Sequence, residues 1–149
     1  MGGSVLLLTA AEASSEARDL GMAAETEWTF QMIDHVQLAM PEGGEEKAEW
    51  FYRDVLGLAV LPKPPAMAAR GGRWFERGAV KIHLGVEDDF RPARKAHPAI
   101  VVANFDALLA RLQSAGVQFR PADDGPGARR GHIDDCFGNR IEIIDPAGG

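Results

Sequence analysis

From residue 32 onward, the spacing of apolar and polar residues predicts a strand, then a helix, then three more strands. The predicted elements of this first run are a strand over 33–40, a helix over 45–56, a strand over 58–61 and a hairpin over 73–86. The helix places Ala48, Phe51 and Val55 on one face. Gly57 ends it, since glycine readily adopts the left-handed conformation found at helix C-termini.

The same order of elements then follows a second time. The predicted elements of the second run are a strand over 97–103, a helix from Asn104 to Ala115, a short strand over 117–119 and two strands over 130–134 and 139–145. In both runs a proline lies five residues after the glycine that ends the helix, and 21 residues separate that proline from His83 or from Glu142. This spacing predicts an α+β domain over 32–149, built from two βαβββ modules over about 32–87 and 96–146.

Residues 1–31 differ from this repeated part. They are rich in alanine, serine and glutamate, show weak periodicity, and carry five acidic residues and one basic residue. We interpret them as an N-terminal extension outside the fold, either disordered or helical over 10–22.

The composition excludes several classes of partner. The repeated part is nearly neutral, with 17 acidic and 15 basic residues, and lacks the basic stripe that would neutralise nucleic acid phosphates. No apolar run approaches the roughly 18–20 residues that cross a bilayer, so no membrane partner is expected. Cys136 is the only cysteine, which excludes an internal disulfide and makes the reducing cytoplasm the expected compartment.

Candidate chemistry lies at equivalent positions of the two modules. His35 and His97 fall on the first strand of their modules, and His83 and Glu142 fall on the last. A half-barrel built from both modules would direct these side chains into one concavity, where imidazole and carboxylate groups suit zinc, nickel, cobalt, manganese or iron. A single histidine in a strand is more often a core or surface residue than a ligand. The duplication of the positions therefore carries the hypothesis of a divalent metal site.

Three segments resemble the vicinal oxygen chelate superfamily, which includes glyoxalase I, methylmalonyl-CoA epimerase, fosfomycin-resistance transferases, extradiol dioxygenases and bleomycin-resistance proteins. These segments are Asp34–Leu38, Phe51–Leu58 and Asp134–Ile143, and the resemblance covers about residues 32–146. It implies paired βαβββ modules, each curling into part of a glyoxalase-like cup around a divalent metal. The stretch that runs from 82 to 98 also resembles a widespread bacterial glyoxalase-like subgroup.

The resemblance implies that the metal is held by the same four residues. His35, His97 and Glu142 match ligand positions of the superfamily, and His83 falls where glyoxalase I and the epimerase present glutamate, glutamine or histidine. We therefore hypothesise a metal-dependent lyase or isomerase that acts on a small oxygenated compound through an enediolate-like intermediate. In this hypothesis Glu142 is also the catalytic base.

Four further side chains are candidates for contacts with the substrate: Arg91, Arg94, Trp74 and His132. The two arginines precede His97 in a basic cluster with Lys95, where guanidinium groups could hold a carboxylate or a phosphate. Trp74 and Phe75 point to opposite faces of one strand, so one of them is expected in the core. Cys136 is expected to fill a turn rather than to react.

Two alternative functions remain open. A small-molecule binding protein of the bleomycin-resistance type would use an acidic, aromatic cup without catalysis. An iron-dependent extradiol dioxygenase would use His35, His97 and Glu142. In each case a homodimer is expected, because half-open sheets expose edges that pairing would cover.

Overall fold

Two four-stranded sheets with the same strand order make up the computed structural model, which describes residues 28–124 and 129–148. The first module contains β1 (Val36–Met40), α1 (Glu45–Ala48, continued by a π-helix over Glu49–Val55), β2 (Ala59–Leu61), α2 (Pro65–Ala68), β3 (Arg73–Arg77) and β4 (Val80–Val86). The second contains β5 (Ala99–Val101), α3 (Phe105–Ser114), β6 (Arg120–Pro121), β7 (Arg130–Asp134) and β8 (Arg140–Ile144), and a 3₁₀ turn over Pro146–Gly148 follows. The predicted α+β architecture of two open βαβββ modules is confirmed.

The strands of each module pair in the same way. The first sheet has the order β1-β4-β3-β2 and the second has the order β5-β8-β7-β6. In both sheets the first and last strands of the module run parallel, while the other neighbours are antiparallel. Gln37 lies opposite His83 in the first sheet, and Ala99 lies opposite Glu142 in the second. Because His35 and His97 each lie two residues before these partners, the predicted equivalence of the two histidines is confirmed.

Several predicted boundaries differ from the structure. β1 and β5 begin later than expected, so His35 and His97 lie just before their strands rather than within them. The predicted strand over 117–119 is wrong, because the short pairing with β7 forms at Arg120–Pro121 instead. The sequence also missed α2, which begins with a proline at its first helical position, where the missing N–H has no intrahelical partner to lose.

The two predicted helices form, but the first is α-helical only over Glu45–Ala48 and continues as a π-helix over Glu49–Val55. The Leu56 amide donates to the Phe51 carbonyl five residues back, as in a π-helix, and Gly57 then adopts a φ of +76° and ends the helix. Asn104 stands at the N-cap of α3 as expected. Its φ is +54°, and its side chain makes no capping hydrogen bond within the described residues.

The core lies on one face of both sheets. Alternation along the central strands buries Ile82 and Leu84 of β4 and Ile141 and Ile143 of β8 in one apolar cluster with the helices. Consequently His83 and Glu142, the residues between these pairs, point to the opposite face. Phe75 is fully buried in the same core, which leaves Trp74 on the face of His83.

A buried polar network joins the two modules. The hydroxyl of Tyr52 on the π-helix donates to Asp135 Oδ2 at 2.7 Å, and Asn139 donates to the same oxygen at 2.9 Å. Asn139 also donates to the Ala39 carbonyl of β1 at 2.9 Å. Burial, followed by the charge of Asp135, raises the pKa of Tyr52 well above its ordinary value. Two of the three segments that carry the family resemblance are therefore in direct contact through this network.

Two predictions concern residues that the structure does not describe. The predicted helix over 10–22 and the loop over 125–127 lie outside the described residues. Among the residues that the structure does describe, none of the helices is both long and apolar enough to cross a bilayer.

Candidate functional site

The face of the second sheet that points away from the core carries a cluster of His97, His132 and Glu142, here named the second cluster. Each residue offers one ligand atom, and these atoms all lie within 4.8 Å of one another. Glu142 lies on β8, the central strand of the three, between β5, which His97 precedes, and β7, which carries His132. The Glu142 side chain is buried, and its Oε2 lies 3.2 Å from His97 Nε2. The strand order thus brings residues from distant parts of the chain together at one point of the sheet.

The orientation of His97 suits a metal ligand. Its Nδ1 lies 2.7 Å from the carbonyl oxygen of Lys95, and a carbonyl can only accept, so Nδ1 carries the proton. In the neutral ring, Nε2 then presents its lone pair toward the Glu142 carboxylate. A lone pair facing a carboxylate oxygen needs a proton or a metal cation between them, so this donor set fits a divalent ion.

Arg130 is the second partner of Glu142. Its Nη1 donates to Glu142 Oε1 at 3.1 Å, and its Nε donates to Asp124. Both oxygens of Glu142 therefore have a partner, one an arginine and the other a histidine. Arg130 is not among the residues predicted from the sequence, although its position two residues before His132 places both on the same face of β7.

The surroundings of His132 favour its neutral form. Burial, followed by the nearby positive charges of His97 and Arg140, lowers the pKa of His132 below its ordinary value. The rings of His97 and His132 meet edge to face, with centroids 5.1 Å apart. A neutral imidazole beside a carboxylate has the protonation state that a metal ligand requires.

The first sheet carries a cluster of His35, Trp74 and His83, here named the first cluster. His83 lies on the central strand β4, and its ring stacks on His35 at a centroid distance of 4.0 Å and on Trp74 at 4.5 Å. Since β4 lies between β1 and β3, these two rings cover opposite faces of the imidazole. Burial, followed by the charge of His35, lowers the pKa of His83.

His35 is oriented in the same manner as His97. Its Nδ1 lies 2.9 Å from Asp34 Oδ2, and Lys81 donates to the other oxygen of Asp34 at 3.1 Å. The hydrogen bond to His35, followed by that to Lys81, lowers the pKa of Asp34. An ionised Asp34 accepts a hydrogen bond from the Nδ1–H of His35, which leaves Nε2 of His35 as the ring nitrogen available to a ligand.

The two clusters correspond residue for residue. Trp74 lies opposite His83 in the first sheet, and His132 lies opposite Glu142 in the second. The sequence missed this equivalence because nine residues separate Trp74 from His83, whereas ten separate His132 from Glu142. Two residues join the strands of the first hairpin and five join those of the second, so equivalent cross-strand pairs have different spacings along the chain.

The structure thus separates the four predicted metal ligands into two pairs. Among the described residues, His97, His132 and Glu142 form the one group of three or more potential ligands within 4.8 Å, and it does not include His35 or His83. The shared ion of all four residues stays a prediction. His132, predicted to contact a substrate, instead lies among the potential ligands.

The remaining candidates lie around the two clusters. Trp74 is half-buried against His83, whereas Arg91 and Arg94 are exposed on the connector between the modules. The connector is fixed at Ala93, whose amide donates to Asn139 Oδ1 at 3.0 Å. Cys136 is half-buried in the turn after β7, and burial raises its pKa to about 12, which agrees with a residue that does not react as a thiolate.

A cavity of about 570 Å³ lies apart from both clusters. It is lined mainly by apolar residues of both modules, including Leu56, Val80, Val101 and Leu108. None of the predicted site residues lines it, so its size does not identify the functional site.

Residues 32–143 match the family model of the Glyoxalase/Bleomycin resistance protein/Dioxygenase superfamily. The chain belongs to this superfamily. A protein from Bacillus anthracis assigned to the glyoxalase family is 41% identical, with a TM-score of 0.76, and the alignment covers 80% of this chain and 98% of that chain. The resemblance seen in the sequence is therefore confirmed.

Two more distant structures share the fold alone. TnmS3, an antibiotic binding protein from Streptomyces sp. CB03234, is 23% identical with a TM-score of 0.60, over 80% of this chain and 99% of that one. Lactoylglutathione lyase from Agrobacterium tumefaciens is 21% identical with a TM-score of 0.61, over 80% of this chain and 97% of that one. No curated protein matches the chain significantly.

Proposed function

We propose that this protein is a metal-dependent lyase or isomerase of the glyoxalase-like type, acting on a small oxygenated compound. The observation that carries the proposal is the second cluster, in which the Lys95 carbonyl binds Nδ1 of His97 and leaves Nε2 facing a buried carboxylate. This is the arrangement in which a second partner fixes the ring of a metal-ligating histidine.

The residues that would hold the ion are His35, His83, His97 and Glu142, with His132 as a further donor beside the last two. Imidazole and carboxylate donors suit zinc, nickel, cobalt, manganese or iron. Such an ion supplies Lewis-acid chemistry, which polarises substrate oxygens and lowers the cost of removing a proton next to a carbonyl.

Glu142 is the residue proposed to move that proton. Arg130 donates to its Oε1, while Oε2 lies on the side of His97. A carboxylate anchored by one oxygen keeps the other oxygen in a fixed place for proton transfer. Trp74 and the stacked imidazoles of the first cluster form an aromatic wall that can exclude water from one side of a bound compound.

We further propose that the protein acts as a cytoplasmic homodimer. β1 and β5 are edge strands of their sheets, and Val101 on β5 is 59% exposed, so each sheet has an edge that a second chain could cover. Within one chain the predicted ligands form two separate pairs. A homodimer offers a way for the first cluster of one chain to meet the second cluster of its partner.

The proposal is tested by elemental analysis of protein purified without chelators. We expect a stoichiometric divalent metal in the native protein and its loss in His97→Ala. All four histidines lie in the two clusters, so the matched control is Gln113→Ala, an exposed side chain on α3 that should leave the metal content unchanged. A screen of hemithioacetal, acyl-CoA and catechol substrates then follows, and catechol cleavage with oxygen uptake would indicate the dioxygenase reaction instead. Full metal content in His97→Ala would contradict the assignment.

One observation favours a second candidate, a small-molecule binding protein without catalysis. A proton on His97 Nε2 would let the imidazole donate to Glu142 Oε2, and with Arg130 on Oε1 the carboxylate would then be satisfied by protein groups without a metal. The antibiotic-binding TnmS3 shares the fold. Native protein that binds a ligand tightly, contains no metal and turns over none of the screened substrates would support this candidate.

A further inference from the structure

Arg140 lies on the same face of the second sheet as the second cluster. Its neighbours on β8 show this, because Ile141 and Ile143 point into the core and leave Arg140 and Glu142 on the opposite face. Arg140 lies opposite Asp134, just as Glu142 lies opposite His132. The two pairs follow one another along the strands, about 7 Å apart at the usual rise of a β-strand.

The guanidinium of Arg140 lacks the partners that the other arginines of this face have. Its Nε is buried and has no hydrogen-bond partner in the described part of the chain. Asp134, the carboxylate across from it, instead accepts both terminal nitrogens of Arg120, at 3.0 and 2.7 Å. Arg130 is paired with Asp124 and Glu142. Of these three arginines, Arg140 alone forms no ion pair with the residues 28–124 and 129–148.

The backbone that carries Arg140 is rigidly held. Its amide donates to the Ala93 carbonyl at 2.8 Å, and the preceding Asn139 is buried in the network that joins the two modules. Because Ala93 is hydrogen-bonded to Arg140, the backbone of the next residue, Arg94, also lies close to Arg140. The site has a fixed base and an excess of positive charge beside the second cluster.

We propose that Arg140 binds an anionic group, a carboxylate or a phosphate, of the compound held at His97 and Glu142. A guanidinium is a planar fork whose donors match the oxygens of either group. Since Arg140 forms no ion pair with the described residues, its terminal nitrogens can take the oxygens of a carboxylate or phosphate ligand, and the interaction is formed only in the complex. The proposal rests on the proposed function for the location of the ligand, and it narrows the substrate class to oxygenated anions.

The experiment measures by calorimetry how strongly the metal-loaded protein prefers an added negative charge. Two pairs of probe ligands are compared: lactate with malate, which adds a carboxylate, and glycerate with 3-phosphoglycerate, which adds a phosphate. We expect the native protein to bind malate more tightly than lactate, or 3-phosphoglycerate more tightly than glycerate, by about ten-fold or more, the range for a hydrogen bond to a charged group. The pair that shows the preference distinguishes a carboxylate from a phosphate.

Arg140→Gln should remove this preference while leaving the metal content and the affinities for lactate and glycerate, which lack the added group, within about two-fold. Arg140→Lys keeps the charge without the fork and should retain part of the preference. The control Arg70→Gln changes an exposed arginine of the first module and should change nothing. Equal binding within both pairs by the native protein, or an undiminished preference in Arg140→Gln, would overturn the proposal. If the native protein holds no metal but still shows an Arg140-dependent preference, the proposed function fails and the role of Arg140 stands.

Discussion

The two modules of this protein share strand order and pairing register but present different chemistry on equivalent positions. The central strand carries His83 in one module and Glu142 in the other, and the cross-strand neighbour is Trp74 in one and His132 in the other. The first cluster is a stack of three rings. The second is a hydrogen-bonded cluster with a carboxylate at its centre.

This difference indicates a division of roles. Two rings cover the faces of His83, so its position is fixed and only its ring edge is available to a ligand. Glu142 has a guanidinium on one oxygen and an imidazole on the other. Gain or loss of a proton by that imidazole therefore changes the charge next to the carboxylate. The two modules thus share one backbone geometry, and different residues at equivalent positions of the central strands give each module its own chemistry.

The largest effect is expected when the central residues are made alike. Glu142→His gives the second cluster a histidine at its centre, which retains a ligand-competent group but removes the proposed base. We expect the metal content to persist and turnover of the substrate found by screening to fall by about 10²–10⁴-fold, the usual contribution of a general base. Elemental analysis and steady-state kinetics on the same preparation measure both quantities.

The reciprocal exchange, His83→Glu, provides the control. It leaves Glu142 and its partners intact, so most of the turnover should persist. Equal losses in the two variants would show that the modules do not differ in role, and unchanged turnover in Glu142→His would exclude Glu142 as the base.

The hairpin turns show a second difference between the modules. Two residues join β3 to β4, whereas five residues join β7 to β8, and the longer turn contains the carboxylate that Tyr52 contacts. Asp135→Ala would leave the buried Tyr52 hydroxyl and the Asn139 amide without their acceptor. Since each unsatisfied buried donor costs roughly 1–3 kcal/mol, we expect the free energy of unfolding to fall by about 2–4 kcal/mol.

Denaturant unfolding measures this loss, and the neighbouring residue supplies a matched control. Asp134 is paired with Arg120 on the exposed face, and an exposed ion pair contributes only about 0–1 kcal/mol. Asp134→Ala should therefore be nearly neutral. Comparable losses in the two variants would mean that the network between the modules adds little to stability.

The sequence predicted the fold well because its signals were local and occurred twice. Helical spacing, the glycines that end the helices and the alternation in the hairpins each specified an element, and the equal spacing to His83 and Glu142 revealed the repeat. The strand over 117–119 failed because pairing with β7, a tertiary contact, selected Arg120–Pro121 instead.

The candidate site was harder to predict because it depends on cross-strand neighbours. Which side chain lies beside Glu142 depends on the hairpin pairing, and the longer second turn concealed that His132 corresponds to Trp74. Arg130 and Arg140 are spaced two residues from His132 and Glu142, so alternation alone could have placed both on the site face. Alternation alone does not predict that Asp134 pairs with Arg120, a pairing that leaves Arg140 without a carboxylate partner among the described residues.

The smallest effect is expected from pH, and it distinguishes the clusters by their neutral histidines. The pKa values of His83 and His132 are lowered in the folded protein, in each case first by burial, relative to an ordinary value of about 6.5. As the pH falls below about 6.5, the unfolded chain takes up protons at these residues that the folded chain does not, so the free energy of unfolding should decrease with falling pH. Thermal unfolding of metal-free protein between about pH 7.5 and 5.5 measures the slope, which should be reduced in His83→Gln and in His132→Gln. Because His83 belongs to the first cluster and His132 to the second, an unchanged slope in one variant would assign the pH dependence to the other module. Unchanged slopes in both variants would show that neither ring is held neutral by its surroundings.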